Sequence, residues 1–279
     1  MKTGLVLEGG GMRGAYTAGC LKWFLENNIE FDYKCAISAA ALLLVYFETK
    51  DVVALEKLTE QLPKKINVGI RPLLREGQFV GYQRMIYHIC KELLPLDFNK
   101  LAQGKPIEIG VYNADQDKLI WLKNQEINYP FLHASNMLPV TGRAVRINKE
   151  RYFDGGIKSM FPVFRSVEND CQRTIFITTK PSSYTRKQNS KKLQFIMGIL
   201  YRRYPKMLKA INDRVKVYHD EINEINNIVD RGEGLIIRPT KEVNVERLAA
   251  SAESIAELFK LGYQDCEKQK VKILEMVGK

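Results

Sequence analysis

Thr3-Gly-Leu-Val-Leu-Glu-Gly-Gly-Gly-Met-Arg-Gly14 and, after one helical stretch, Tyr33-Lys-Cys-Ala-Ile-Ser38 are the passages that decide the fold. The first is a short apolar run that stops at glycines, the pattern of a strand buried on both faces. From Ala15 to Asn27 the spacing of Leu21, Phe24 and Leu25 predicts a helix. Tyr33 to Ile37 reads as a second buried strand, and a very apolar helix starts just after Ser38. Strand, loop, helix, strand, loop, helix is the order of a parallel sheet covered by helices. The expected fold class is α/β: three layers, α/β/α, around a central, mostly parallel sheet.

Working outward, Thr59 to Lys105 reads as mostly helical, with breaks at Pro63, Pro72 and Pro95. Ile107 to Ala114 and Leu119 to Leu122 read as strands joined by Asp115-Gln-Asp-Lys118. Ala144 to Ile147 and Arg151 to Phe153 flank the polar Asn148-Lys-Glu150 and read as a hairpin whose second, edge-like strand delivers Asp154-Gly-Gly156. Thr174 to Thr179 and Gly234 to Arg238 add strands. Tyr204 to Val229 reads as one long polar helix, and Val245 to Val277 as a closing helical stretch. With no internal repeat and no low-complexity linker, one compact body is expected.

The composition is that of an ordinary globular chain: 279 residues, 45% hydrophobic and 27% charged. Cys20, Cys35, Cys90, Cys171 and Cys266 are scattered and form no CxxC pair, which argues against a zinc site and fits a reducing compartment. Met1-Lys2 runs straight into an apolar strand without a secretory pattern. Cys35 to Phe47, interrupted by Ser38, is the longest apolar run and too short to span a bilayer. The net charge of +11 raises nucleic acid or acidic membrane as partners. Ten Lys or Arg against Asp213 alone fall between Arg186 and Lys216. That stretch reads as a solvated helical face or as peripheral contact with an anionic membrane; nucleic acid rests on charge alone and is not expected. The expected location is cytoplasmic, including the inner membrane surface.

Three consecutive glycines between strand and helix let backbone amides converge, and the helix adds its positive end. Such a loop holds a phosphate or a developing oxyanion. Gly9-x-Gly11-x-x-Gly14 also matches the dinucleotide fingerprint, but the second strand ends in Ile37-Ser38-Ala39 rather than in an acid. No Gly-Lys-Ser/Thr follows, so a Walker loop is excluded; a purely structural turn stays open. Ser38 sits at a strand-to-helix junction, where a nucleophile elbow exposes its hydroxyl. The plain alternative is a helix N-cap serine. The usual elbow is Gly-x-Ser-x-Gly, and both glycines are alanine here, Ala36 and Ala40. Asp154 at a strand end could accept a serine proton directly, or be an ordinary Asp-Gly turn.

Taken together, Glu8-Gly-Gly-Gly-Met-Arg-Gly14, the elbow about two dozen residues later and Asp154-Gly-Gly156 resemble the patatin-like phospholipase family. Ala134-Ser-Asn-Met-Leu-Pro139, Phe161-Pro-Val163 and Phe176-Ile-Thr-Thr-Lys-Pro181 extend the likeness. Tyr204-Pro-Lys206, Ile236-Ile-Arg-Pro239 and Leu261-Gly-Tyr-Gln-Asp265 look like the bacterial branch with a helical C-terminal extension. The resemblance implies a catalytic domain over 1–185 and a mainly helical extension over 186–279, packed on the same body. It implies a lipid acyl hydrolase with Ser38 as nucleophile, Asp154 as its base, and oxyanion donors on Gly10, Gly11 and Met12. Gly9, Arg13, Gly14, Gly155 and Gly156 are the expected supporting residues. The substrate is a lipid or other acyl ester; no metal and no organic cofactor is implied, and oligomeric state has no signature.

A Ser-His-Asp triad is the rival mechanism. Only His219 follows Asp154, in a polar helix where a solvent-facing ring is expected, while His88 and His133 occupy helical contexts that suit packing. The rival outside enzymology is a pseudoenzyme that binds lipid or a partner through the same cleft, motivated by the two elbow alanines.

Overall fold

The computed structural model describes residues 1–61, 63–64, 67–139, 141–246, 248 and 250–279. Its strands are β1 (Thr3–Leu7), β2 (Tyr33–Ile37), β3 (Ile107–Asn113), β4 (Lys118–Lys123), β5 (Val145–Ile147), β6 (Glu150–Asp154), β7 (Arg173–Ile177) and β8 (Gly234–Ile237). The helices are α1 (Gly14–Glu26), α2 (Ala39–Glu48), α3 (Val52–Gln61), α4 (Ile70–Glu76), α5 (Phe98–Gln103) and α6 (Tyr129–Asn136), then α7 (Val163–Glu168), α8 (Lys191–Leu200), α9 (Pro205–Asp230), α10 (Ala252–Lys268) and α11 (Lys270–Val277). A π-helix over Arg84–Leu93 lies between α4 and α5.

The strands form one sheet in the order β5-β6-β3-β2-β1-β7-β8, with β4 also on β3. The pairs joining β3, β2, β1, β7 and β8 are parallel; β4, β5 and β6 join antiparallel. Side chains alternate across the strands. Leu5 and Leu7 enter the larger core with α1, α2 and α10, whereas Val6 packs on the other face with Phe161, Phe176, Ile225 and Ile228. The result is the expected α/β/α layering. The C-terminal region is mainly helical and contributes β8 to the sheet, α9 to one face and α10 to the other.

One junction of this sheet matters for the site. β4 pairs along β3 from Glu108 to Asn113, so it occupies one whole flank. β2 and β6 must therefore divide the other. β2 takes Ile107 to Gly110, β6 takes Val111 to Asn113, and the two strands meet end to end over β3. Ile37 pairs with Gly110 and Asp154 with the adjacent Val111. A Cβ on Gly110 would lie 2.5 Å from Ile37 Cδ1, so that side chain would have to shift, and one on Gly155 would lie 2.7 Å from the Gly110 carbonyl oxygen, which is backbone, so glycine is required there.

α1 and α10 cross with backbone in contact: a Cβ on Gly19 would lie 2.0 Å from the Phe259 carbonyl oxygen, and one on Gly262 2.1 Å from that of Tyr16. Tyr16 and Trp23 donate across the crossing to Asp265 and Glu267, at 3.2 and 2.7 Å.

Three expectations need correction. The closing helix begins at Ala252, not Val245, because Ser251 caps it through the Ser254 amide at 3.1 Å; it is broken at Gln269. Pro72 does not break a helix but sits in the first turn of α4, where its missing N–H costs no helical bond. β6 is no edge strand, since β5 covers its outer side.

Candidate active site

The local sequence puts a tight turn at each strand end facing the β2–β6 junction. After β1, Gly9 passes so close to the second strand that a Cβ there would lie 3.0 Å from the Ser38 Cβ. Gly11 has φ +58°, a left-handed conformation that glycine adopts without strain, and it opens a single 3₁₀ turn over Gly11–Arg13. Gly14 then starts α1. Among the described residues the Gly10 and Gly11 amides take no protein acceptor. The Arg13 guanidinium donates to the Val245 carbonyl at 2.9 Å and braces the loop against the C-terminal region.

Ser38 has φ +62° and ψ −138°, a strained conformation for a residue with a side chain. Ala36 and Ala40, both fully buried, flank this turn without preventing it. Ser38 holds the N-cap position of α2, yet its hydroxyl makes no capping bond. It donates instead to Asp154 Oδ2 at 2.7 Å. The second carboxylate oxygen, Oδ1, accepts from the Gly156 amide at 2.7 Å, and Asp154 is fully buried. The carboxylate is thus oriented, with one oxygen facing the serine.

Gly9, Gly10, Arg13, Ser38 and Gly156 line one cleft of about 240 Å³. Gly11, Met12, Gly14 and Gly155 are not among its described lining residues. No histidine is among the described lining residues. His133 is buried, its ring perpendicular to Tyr87 at 5.7 Å, and burial pulls its pKa down to about 4; His219 is exposed.

Several site features were not legible in the sequence. Glu8 is fully buried, paired with the Lys180 ammonium and accepting from the Thr179 amide at 3.0 Å. Burial pulls Lys180 below its usual range, and Glu8 opposes that pull. Glu221, on α9, accepts from the Met160 and Phe161 amides at 3.2 and 3.1 Å and from the Ser159 hydroxyl. Burial raises its pKa to about 7 against those donors. Lys180 lay within the quoted Phe176 to Pro181, but nothing in composition assigns it a partner 172 residues away. Arg186, Lys187 and Arg214, counted above as part of a basic surface stretch, also line the cleft.

Residues 5–165 match the family model for patatin-like phospholipases, and residues 204–278 match a domain of unknown function, DUF6363. The uncharacterized protein YjjU of Escherichia coli (strain K12) is 24% identical over 272 residues, covering 92% of this chain and 74% of its own length. Among solved structures, that of VipD from Legionella pneumophila superposes with a TM-score of 0.54 at 15% identity, covering 98% of this chain and 67% of VipD. That likeness is one of fold.

Proposed function

The chain belongs to the patatin-like phospholipase family, and on that premise we propose that it is a serine acyl hydrolase cleaving carboxylic esters of lipids through Ser38 and Asp154. The observation that carries the reading is the direction of the Ser38 hydroxyl: it forgoes the helix cap and donates to a buried, oriented carboxylate at 2.7 Å. As Ser38 Oγ attacks the ester carbonyl carbon, its proton passes to Asp154 Oδ2. The oxyanion faces the amides of Gly10, Gly11 and Met12, a contribution of about 10²–10³ in rate for each donor. Collapse breaks the ester C–O bond, and the alcohol leaves with the proton held by Asp154. Water then attacks the acyl-serine, giving its proton to Asp154, and the acid departs as that proton returns to Ser38.

A fluorophosphonate probe should label the native protein at Ser38 and leave Ser38→Ala unlabelled, read by mass spectrometry of the adduct peptide. The second reading, a lipid-binding protein without turnover, is favoured by the elbow alanines. It requires a folded native protein that neither takes the probe nor hydrolyses a p-nitrophenyl ester.

The proposal extends to the lipid surface. No helix among the described residues is long and apolar enough to cross a membrane. In α8, Met197 packs inward while Phe195, Ile199 and Leu200 are exposed beside Lys191, Lys192, Arg202 and Arg203. In α4, Ile70, Leu73 and Leu74 are exposed beside Arg71 and Arg75. Val68 and Val80, which flank α4, share a small core with Met197 of α8. Apolar and cationic residues together suit the headgroup boundary of an anionic membrane, where each cation is worth about 1 kcal/mol. Changing Lys191, Lys192, Arg202 and Arg203 together to Ser should weaken co-sedimentation with phosphatidylglycerol vesicles by roughly a hundredfold or more, as should high salt. Equal binding by both proteins overturns the docking.

A further inference from the structure

The described lining of the cleft that holds Ser38 carries cations but no carboxylate, with Glu8 and Asp154 set behind it. Arg13, Lys180, Arg186, Lys187 and Arg214 line the cleft, and none of its described lining residues is an Asp or a Glu. These cations come from the glycine loop, the segment after β7 and α9, so the fold gathers them from distant parts of the chain. Their positions are set by packing. The Lys180 ammonium lies 5.2 Å from the Tyr184 ring centre and 5.1 Å from that of Tyr218, and the Arg186 guanidinium lies 5.5 Å from the Tyr218 ring. Lys180 is almost fully buried, with Glu8 behind it. Arg186 and Arg13 each add to the downward pull on Lys180, as expected where positive charges crowd one concavity.

This arrangement discriminates among lipid headgroups. A cavity of about 240 Å³ brings headgroup and scissile ester into the same field. A quaternary ammonium needs an aromatic face or a carboxylate. Tyr184 is the one aromatic among the described lining residues and its face already carries Lys180, while the buried Tyr218 carries Lys180 and Arg186. A phosphate with no ammonium of its own meets donors suited to its oxygens, the guanidinium forks above all.

We propose that this basic wall is a headgroup subsite for an uncompensated phosphate, so that the protein selects acyl esters of anionic phospholipids or lysophospholipids over choline-bearing or neutral ones. For hydrolysis the proposal rests on the Ser38–Asp154 reading; for binding it does not.

The kinetic test uses three esters with one acyl chain: lysophosphatidate, lysophosphatidylcholine and monoacylglycerol. The kcat/KM for lysophosphatidate should exceed the other two by at least about tenfold, since a lost charge-assisted hydrogen bond corresponds to about a tenfold to hundredfold change. Arg186→Gln with Arg214→Gln should shrink that ratio by a similar factor, and added salt should shrink it in the native protein. Comparable kcat/KM for all three esters overturns the subsite while leaving the hydrolase intact. The binding test titrates Ser38→Ala with the three lipids and with inorganic phosphate. Preference for lysophosphatidate supports the subsite even if no ester is turned over. Equal binding of the choline lipid, or inorganic phosphate binding as tightly as the lipid, overturns it, the latter by marking a free-ion site. Should the double variant fail to fold, the salt series and the titration decide.

Discussion

Asp154→Asn should abolish ester turnover, by about 10⁴-fold or more, in a protein that still folds. The substitution conserves volume, and the new amide can still accept from the Gly156 N–H through its oxygen. Its nitrogen then faces Ser38 Oγ and donates where the carboxylate accepted, so no base receives the serine proton. Ser38→Ala should cost as much, and the double variant no more than either alone, because the two groups act as one unit. The measurement is p-nitrophenyl ester hydrolysis alongside circular dichroism and thermal melts. Turnover above roughly a tenth of native in Asp154→Asn would be far outside the loss expected for a removed base and would refute the dyad. Loss of activity in a folded His133→Ala or His219→Ala would refute it too.

The second large effect concerns stability. Gly262→Ala should destabilise the protein by about 3 kcal/mol or more, at the upper end of overpacking costs. The added methyl would sit 2.1 Å from the Tyr16 carbonyl oxygen, which is backbone and cannot swing aside. α10 must then move off α1, stretching the Tyr16–Asp265 and Trp23–Glu267 hydrogen bonds. The Gly11–Arg13 turn of the glycine loop packs on α10 as well as leading into α1, so the loop loses that support and turnover should fall as well. Gly198 supplies the opposite sign. It lies inside α8 with nothing within 4 Å of an added Cβ, so Gly198→Ala should stabilise by up to about 1 kcal/mol through helix propensity. Urea melts of the two variants check both; a neutral Gly262→Ala would mean that the helices are not in backbone contact.

The strands and turns of the site were legible in the sequence wherever apolar runs end on punctuation. Tyr33 to Ile37 is bounded by Asp32 and Ser38, and β2 has those limits; Asp154 closes its hairpin strand as the pattern suggested. What stayed hidden is non-local. The flank of β3 on which β6 lies depends on β4 taking the other flank, and no local signal encodes that choice. Nothing local in the sequence marks Gly110, whereas the space beside it is taken by the side chains of Ile37 and Trp121. Charge was countable but its direction was not: Arg186, Lys187 and Arg214 turn into the cleft, while Lys191, Lys192, Arg202 and Arg203 stay at the surface. The break at Gln269 carries neither proline nor glycine, so helical periodicity ran through it unseen.

The end-to-end meeting of β2 and β6 over β3 also makes the site depend on two separate parts of the sheet. Ser38 belongs to the parallel part of the sheet, and Asp154, 116 residues later, to an antiparallel hairpin that docks beside it. Closing so long a loop is an entropic cost met only when the hairpin seats on β3. A state with the parallel strands formed and β5–β6 undocked keeps the strained serine turn but has no proton acceptor. It would resemble the native protein by most measures of secondary structure and be chemically silent. Ester turnover through the proposed dyad would therefore report on the seating of one hairpin rather than on the fold as a whole.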